Sequence, residues 1–194
     1  MINKNRFTKI ILASQSPRRV ALLKQMGIDC VVMPADIDEI ALPNELPTDY
    51  VLRLAQQKAL AIVAKNPNAN LPILAADTTV ALGHEVLGKP ENAADAFNML
   101  KKLSGSTHQV HTAIAVVFNG KLETALNSTQ VEMMVLSDAM INTYIASGEP
   151  MDKAGSYAIQ GLAGCWIKKI EGSYTGVMGL PVHETAMLLA KLEV

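Results

Sequence analysis

The segment Ser14 to Arg19, with the sequence SQSPRR, contains residue types that can bind phosphate. The apolar run Lys9 to Ala13 before it predicts a buried strand, and Ser16 followed by Pro17 predicts a helix start. Free backbone N–H groups at a helix start, two hydroxyls and two guanidiniums together favour a phosphate chain. The alternative is a capped helix whose arginines are only solvated.

A second candidate is Asp77, which lies in the apolar run Pro72 to Leu82 (PILAADTTVAL). An unpaired charge inside a buried strand costs several kcal/mol, so Asp77 is expected to face a cleft, a metal or a cation. There it would act as a metal ligand, as a general base for water, or as both. The alternative is a structural carboxylate that accepts hydrogen bonds from backbone amides.

Lys89 ends a segment, Gly83 to Lys89, that satisfies the phosphate-loop pattern GxxxxGK. The next residue is Pro90, which has neither the hydroxyl that would hold magnesium nor an N–H for a phosphate. The usual phosphate-loop mechanism is therefore excluded. Lys89 can still reach a phosphate from the end of a hairpin, or it is a solvated lysine before a helix.

Other polar residues are less specific. Gln160 is a neutral amide in an apolar, glycine-rich stretch, where bonding to backbone is its simplest role. Cys30 and Cys165 lack metal-site spacing and are expected to be buried as small apolar residues rather than bonded as a disulfide. The four histidines are scattered singly, without the spacing of a metal pair, so each is expected to be structural.

These residues must be positioned by alternating strands and helices. Strands are predicted at 9–13, 30–33, 72–82, 109–118, 121–135 and 165–170. Helices are predicted at 17–27, 48–65, 93–103, 137–148 and 181–192, with Thr48 and Asp49 capping the second. Asn119-Gly120 is the strongest turn signal. The order of elements favours an α/β fold with a mixed sheet.

The bulk composition limits the partners. The chain has 194 residues, 49% of them apolar, and a formal net charge of −1. Such a charge gives no global field that would draw nucleic acid, so phosphate binding must be local. The cations among residues 1–6 precede an apolar run that is too short for a signal peptide or a membrane span. A cytoplasmic protein without membrane or nucleic-acid partners is expected.

With these residues assembled, the chain resembles the Maf (septum-formation-inhibitor-like) family of nucleoside triphosphate pyrophosphatases. The likeness extends over essentially the whole chain. The matching segments, in order, are ILASQSPRRVALLKQMGI, RLAQQKA, LAADTTVAL, GKPENAADA, LKKLSGSTHQVHTA, SGEPMDKAGSYAIQG and VMGLP. The resemblance implies one domain over residues 1–194, similar in fold to inosine triphosphate pyrophosphatases, with two lobes around a long mixed sheet and a central cleft. It also implies a homodimer.

The resemblance also implies roles for individual residues. Ser14, Ser16 and Arg19 would hold the triphosphate, and Asp77 would accept a proton from the attacking water. Further positive charge would come from Lys58 and Lys89.

Glu39 matches a family position that helps to hold a divalent cation, magnesium or manganese, and Asp77 would share that ion. Water would attack the α-phosphorus and release pyrophosphate, while the cations offset the developing charge.

The resemblance further indicates which nucleobase the substrate carries. The 7-methyl-GTP branch of the family carries Trp, Gln and Glu at the positions of Arg18, Thr78 and Gln160. An indole suits a cationic methylated ring, and a carboxylate suits the two donors of guanine. Gln160 instead offers one donor and one acceptor, which match N3–H and O4 of uracil or thymine. We therefore expect a dTTP/UTP pyrophosphatase, with 7-methyl-GTP hydrolysis and a division regulator without turnover as the alternatives.

Overall fold

The computed structural model of the chain describes residues 7–192. The N-terminal cations at 1–6 and the last two residues lie outside the described range. The strands are β1 (Lys9–Leu12), β2 (Asp29–Val32), β3 (Ile73–Leu82), β4 (Glu85–Leu87), β5 (Thr107–Phe118), β6 (Lys121–Met133) and β7 (Ile167–Glu171). The helices are α1 (Pro17–Gln25), α2 (Pro47–Lys65), α3 (Ala93–Leu103), α4 (Asp138–Ala146), α5 (Tyr174–Val177) and α6 (Val182–Lys191).

The strands form one mixed seven-stranded sheet in the order β2-β1-β3-β5-β6-β7, with β4 also paired to β3. β1 runs parallel to β2 and to β3, and the other pairings are antiparallel. The expected α/β class and mixed sheet are confirmed. Asn119 and Gly120 turn β5 into β6, both with the positive φ that a two-residue hairpin turn of this kind requires.

One edge of β3 is only partly covered. β1 pairs with Ile73 and Leu74, and β4 pairs with the segment 80–82. Between these two pairings, residues 75–79 of β3 have no strand neighbour on that edge within the described chain. Asp77 and Thr78 therefore lie where the sheet opens, next to the loop that leaves β1.

The apolar core is divided along the strands. Near β1, alternate residues of β1, β3 and β5 point to opposite faces, as the two-residue period of a strand requires. One face packs against α2, and the other packs against α1 and α6. The far ends of β3, β5 and β6 pack with α3 and α4. The open edge of β3 falls between these two packed regions.

Several expected details are wrong. α2 begins with Pro47 in its first turn after Leu46, so Thr48 and Asp49 do not cap it. Ser16 stands at the N-cap of α1, and Pro17 opens the helix as predicted, but the Ser16 side chain makes no capping hydrogen bond. The later N–H groups of the first turn of α1 therefore receive no side-chain acceptor from Ser16.

The glycine-rich stretch also differs from its expected form. It contains three short 3-10 turns (Glu149–Asp152, Ala154–Ser156 and Leu162–Trp166), so β7 begins at Ile167 rather than at Cys165. Cys165 is exposed and Cys30 is half-buried, which contradicts the buried cysteines that were expected. None of the helices between residues 7 and 192 has the length and apolar character needed to span a bilayer.

Candidate active site

A cavity of about 600 Å³ opens at the uncovered edge of β3. Ligand cavities are commonly of this size. All ten residues that sequence and resemblance singled out line it: Ser14, Ser16, Arg18, Arg19, Glu39, Lys58, Asp77, Thr78, Lys89 and Gln160. They come from six separate stretches of the chain, which the sheet brings together.

Lys58 links two carboxylates on one wall of the cavity. Its Nζ lies 2.6 Å from Asp77 Oδ1 and 2.8 Å from Glu39 Oε1. Lys58 and Asp77 are buried, whereas the Glu39 side chain is about half exposed. Burial raises the pKa of Asp77, and the charge of Lys58 opposes that rise. A buried carboxylate with a raised pKa is a stronger base than a solvated one.

Glu39 is carried by the loop between β2 and α2, and Tyr50 on α2 fixes that loop. The Tyr50 hydroxyl donates to the Glu39 carbonyl oxygen at 2.9 Å. Burial, together with the negative charges of Asp77 and Glu39, raises the pKa of Tyr50 to about 12. The hydroxyl therefore stays protonated at neutral pH and holds the Glu39 backbone beside Lys58.

Arg19 crosses the floor of the cavity and is anchored at three points. Its Nε donates to the Gly179 carbonyl oxygen at 2.8 Å, and its terminal nitrogens donate to Ser14 Oγ at 2.9 Å and to Thr78 Oγ1 at 3.2 Å. Burial lowers the pKa of Arg19, but arginine keeps its charge in proteins. A guanidinium has five N–H groups, and two of these have no acceptor among residues 7–192.

The hydroxyl of Thr78 belongs to a directed chain of hydrogen bonds. Thr112 Oγ1 donates to the Gly176 carbonyl oxygen at 2.8 Å, so its only proton is in use. In the 2.9 Å contact between the two hydroxyls, Thr78 must therefore donate to Thr112. The Thr78 hydroxyl accepts a hydrogen bond from Arg19 and donates its own hydrogen bond to Thr112. Its hydroxyl supports the guanidinium.

Ser14 has the opposite arrangement. Its Oγ accepts from Arg19 and, at 3.2 Å, from the backbone N–H of Ser16. Both acceptor positions are thus used, and the hydroxyl proton remains to be donated. Ser14 is buried at the cavity wall, where a phosphate oxygen is a suitable acceptor.

Two cations at the other side of the cavity share an acidic partner. Arg18 lies 3.9 Å from Asp152, and Lys153 makes a close ion pair with the same carboxylate. Burial opposes ionisation of Asp152, but Lys153 and Arg18 outweigh it and lower the pKa of Asp152. Lys89 is exposed and has no ion-pair partner in the described part of the chain. The cavity therefore carries an excess of positive groups suited to a polyphosphate.

The remaining polar candidates lie apart from this chemistry. Gln160 is exposed at the cavity rim, and its side chain makes no hydrogen bond within residues 7–192. The expected backbone partner for this amide is therefore not present there. His108 and His111 are buried, bonded to the Tyr157 hydroxyl and to Ser128, and are structural as expected.

Sequence reasoning missed Tyr50, Thr112 and the Gly179 carbonyl. Tyr50 is one aromatic residue on a long helix, and Thr112 is one of several polar residues in the first half of β5. Only the antiparallel register, which places Thr112 opposite Thr78, makes the second one informative.

Sequence comparison with known proteins gives matches over nearly the whole chain. The profile of the Maf-like protein family matches residues 9–192. The dTTP/UTP pyrophosphatase of Methylobacillus flagellatus is 54% identical over 94% of this chain and 92% of that protein. The dTTP/UTP pyrophosphatase of Chromobacterium violaceum is 53% identical over 95% and 94%, respectively.

Among solved structures, the chain is similar to the nucleoside-triphosphatase (dITP/XTP pyrophosphatase) of Mycobacterium abscessus. The TM-score is 0.42 at 18% identity, over 64% of this chain and 74% of that one. The match to the family profile extends over nearly all of the described residues, including every cavity residue named above. The chain therefore belongs to the Maf-like protein family.

Proposed function

We propose that this protein is a nucleoside triphosphate pyrophosphatase that hydrolyses dTTP and UTP to the monophosphate and pyrophosphate. Relatives about half identical over nearly the whole chain carry that activity in their names. The observation that carries the proposal is the shared cavity: a buried carboxylate, Asp77, faces the same space as Arg19, Lys58 and Lys89. A base and several cations in one cleft are what hydrolysis of a phosphoanhydride needs.

The triphosphate is held between the start of α1 and the lysines. The free proton of Ser14 and the two unused N–H groups of Arg19 donate to phosphate oxygens. Ser16 adds a hydroxyl that α1 does not use. Lys89, just after β4, supplies positive charge. Because its side chain is exposed, it can adjust its position to the bound substrate.

Asp77 takes the proton of the attacking water. The new bond forms between the water oxygen and the α-phosphorus, and the bond to the bridging oxygen breaks, so that pyrophosphate leaves with the electron pair. Lys58 keeps Asp77 in place at 2.6 Å and offsets charge that develops on the phosphate oxygens. Positioning and electrostatics provide most of the acceleration.

A divalent cation, magnesium or manganese, fits beside Glu39 and Asp77. Each carboxylate uses one oxygen on Lys58, and its second oxygen accepts no hydrogen bond from residues 7–192. Within that range, no cluster of three or more His, Cys, Asp or Glu side chains could hold a metal. Magnesium commonly binds one or two carboxylates and completes its shell with substrate phosphates and water, which suits this pair. Its charge would stabilise the pyrophosphate leaving group.

The nucleobase of the substrate is recognised at the opposite rim of the cavity. Gln160 offers its donor and acceptor to the pairing edge of uracil or thymine, and Arg18 flanks the same opening. Thr78 contributes through Arg19, since its hydroxyl is committed to Thr112. A 7-methyl-GTP pyrophosphatase is the less favoured alternative, because neither an indole nor a carboxylate stands at these positions. A homodimer and a cytoplasmic location stay predictions.

A pyrophosphate-release screen over standard nucleoside triphosphates with magnesium or manganese tests the proposal. Release from dTTP and UTP is expected, and Asp77→Asn should lose roughly 10²–10⁴-fold of the rate with its fold retained. Asp29→Asn, an exposed aspartate outside the cavity, is the matched control and should be unaffected. Binding of nucleotides without release of pyrophosphate would instead support a regulator of cell division that does not turn over its ligand. Unchanged turnover in Asp77→Asn would remove Asp77 from the mechanism.

A further inference from the structure

The turn that carries Gln160 is held by two residues that do not line the cavity. Tyr144 is buried on α4, and Glu149 opens the 3-10 turn that follows that helix. The Tyr144 hydroxyl donates to Glu149 Oε1 at 2.8 Å and accepts from the backbone N–H of Ala158 at 3.2 Å. Burial and the hydrogen bond to Glu149 raise the pKa of Tyr144, so the hydroxyl keeps its proton.

Glu149 binds the other end of the turn that carries Gln160. The backbone N–H of Leu162 donates to both carboxylate oxygens, at 3.1 and 3.2 Å. The carboxylate also packs directly on Gly161: a Cβ built there would lie 2.2 Å from Glu149 Oε1. A side chain at position 161 would therefore displace the Glu149 carboxylate from this contact.

These contacts enclose Gln160 on both sides. Ala158 is fixed two residues before it and Leu162 two residues after it, and the Gly161 N–H closes the turn on the Ala158 carbonyl at 3.0 Å. The Gln160 side chain itself has no partner within residues 7–192, so its direction depends on the backbone beneath it. A single amide can select a base only if its donor and acceptor are held in place.

We propose that Tyr144 and Glu149 are positioning residues that set the base selectivity of the site by fixing the turn 158–162 under Gln160. This inference rests on the proposed function, because it assumes that Gln160 reads the base. Tyr144 and Glu149 act on selectivity through Gln160 and do not touch the reacting phosphates. Their removal should weaken discrimination between bases and leave phosphate binding intact.

The test is calorimetric binding of the α,β-imido analogues of dUTP and dGTP, which share one sugar and differ in the base, to wild type, Tyr144→Phe and Glu149→Gln. Wild type should prefer the dUTP analogue, and each variant should lose about tenfold of that preference, mainly through weaker dUTP binding. In a Gln160→Ala background the same substitutions should no longer change the ratio, since residues in one network are not additive. Tyr174→Phe, on α5 outside the cavity, is the matched control.

Several results would overturn the proposal: an unchanged ratio, an equal loss for both analogues, or an undiminished effect in Gln160→Ala. Wild type that binds both analogues equally, or neither, overturns it as well. Faster amide hydrogen exchange at Ala158 in Tyr144→Phe, with protection of β5 retained, is expected if the turn loosens while the fold persists. Because binding is measured without turnover, a failure of pyrophosphate release would contradict the proposed function and not this inference.

Discussion

Lys58 determines the charge balance of the cavity, because its ammonium group is the shared partner of Asp77 and Glu39. Without it, two carboxylates would face each other across a partly dry site and disfavour each other's ionised form. The proposed mechanism needs Asp77 ionised so that it can accept a proton. The activity should therefore rise with pH as Asp77 ionises.

Replacing Lys58 with Gln should shift the pH dependence of the activity to higher pH. Burial raises the pKa of Asp77 and Lys58 lowers it, so loss of the ammonium raises the pKa further. The acidic limb of kcat/KM against pH should shift upward by about 1–3 pH units. Lys65→Gln, at the end of the same helix, is the control. A uniformly reduced rate with an unmoved limb would contradict the role of Lys58.

At the scale of elements, the turn Ala154–Ser156 joins the two sides of the cavity. The Gly155 N–H donates to the Gly88 carbonyl oxygen at 3.0 Å, just after β4. Gly155 has φ +65°, and a Cβ there would lie 2.8 Å from the Val80 side chain on β3. The turn can pack on β3 only because Gly155 has no side chain.

Gly155→Ala should therefore destabilise the fold more than a matched substitution at Gly83. Gly83 has φ +61°, and a Cβ there meets nothing within 4 Å, so both variants share the backbone strain. The extra contact in Gly155→Ala should cost about 1–3 kcal/mol in the free energy of unfolding. Urea unfolding measures the difference. Equal losses in the two variants would show that the contact with Val80 is readily relieved.

Local patterns predicted those elements whose residues carry their own signal. The apolar run around Asp77, Pro17 at the start of α1, and the Asn119-Gly120 turn all lie where the sequence places them. The start of α2 was misplaced because Pro47 competes with Thr48 and Asp49 as a helix-start signal.

The candidate site was predicted unevenly for a related reason. Ten of the residues that line the cavity could be proposed from motifs and resemblance, but their hydrogen bonds could not. The Thr78–Thr112 pair depends on the strand register, and the Glu149–Leu162 contact depends on a fold of the glycine-rich stretch. Long-range geometry of this kind has no local signature in a single sequence.

For the whole molecule, acid stability should depend on His108. Burial lowers the pKa of His108 to about 4, and its Nδ1 has no partner within residues 7–192. Between pH 6.5 and 4 the unfolded chain binds a proton that the folded chain does not, so stability falls as the pH falls. Across this window His108 contributes a loss of roughly 3 kcal/mol.

His108→Gln should reduce this loss, since the amide does not titrate and can still bond to the Tyr157 hydroxyl. Chemical unfolding at a series of pH values measures it, with exposed His183→Gln as the control. Burial also lowers the pKa of His111, so some acid sensitivity should remain in the variant. An identical pH dependence in wild type and His108→Gln would refute the assignment.

In the proposed reaction this cavity directs water to the α-phosphorus of a pyrimidine triphosphate. Hydrolysis of dTTP in ¹⁸O-labelled water, followed by mass spectrometry of the products, shows which phosphorus atom the water attacks. The proposed reaction predicts one ¹⁸O atom in the dTMP and none in the pyrophosphate. Label in pyrophosphate or in free phosphate, or dTTP left intact, would contradict it.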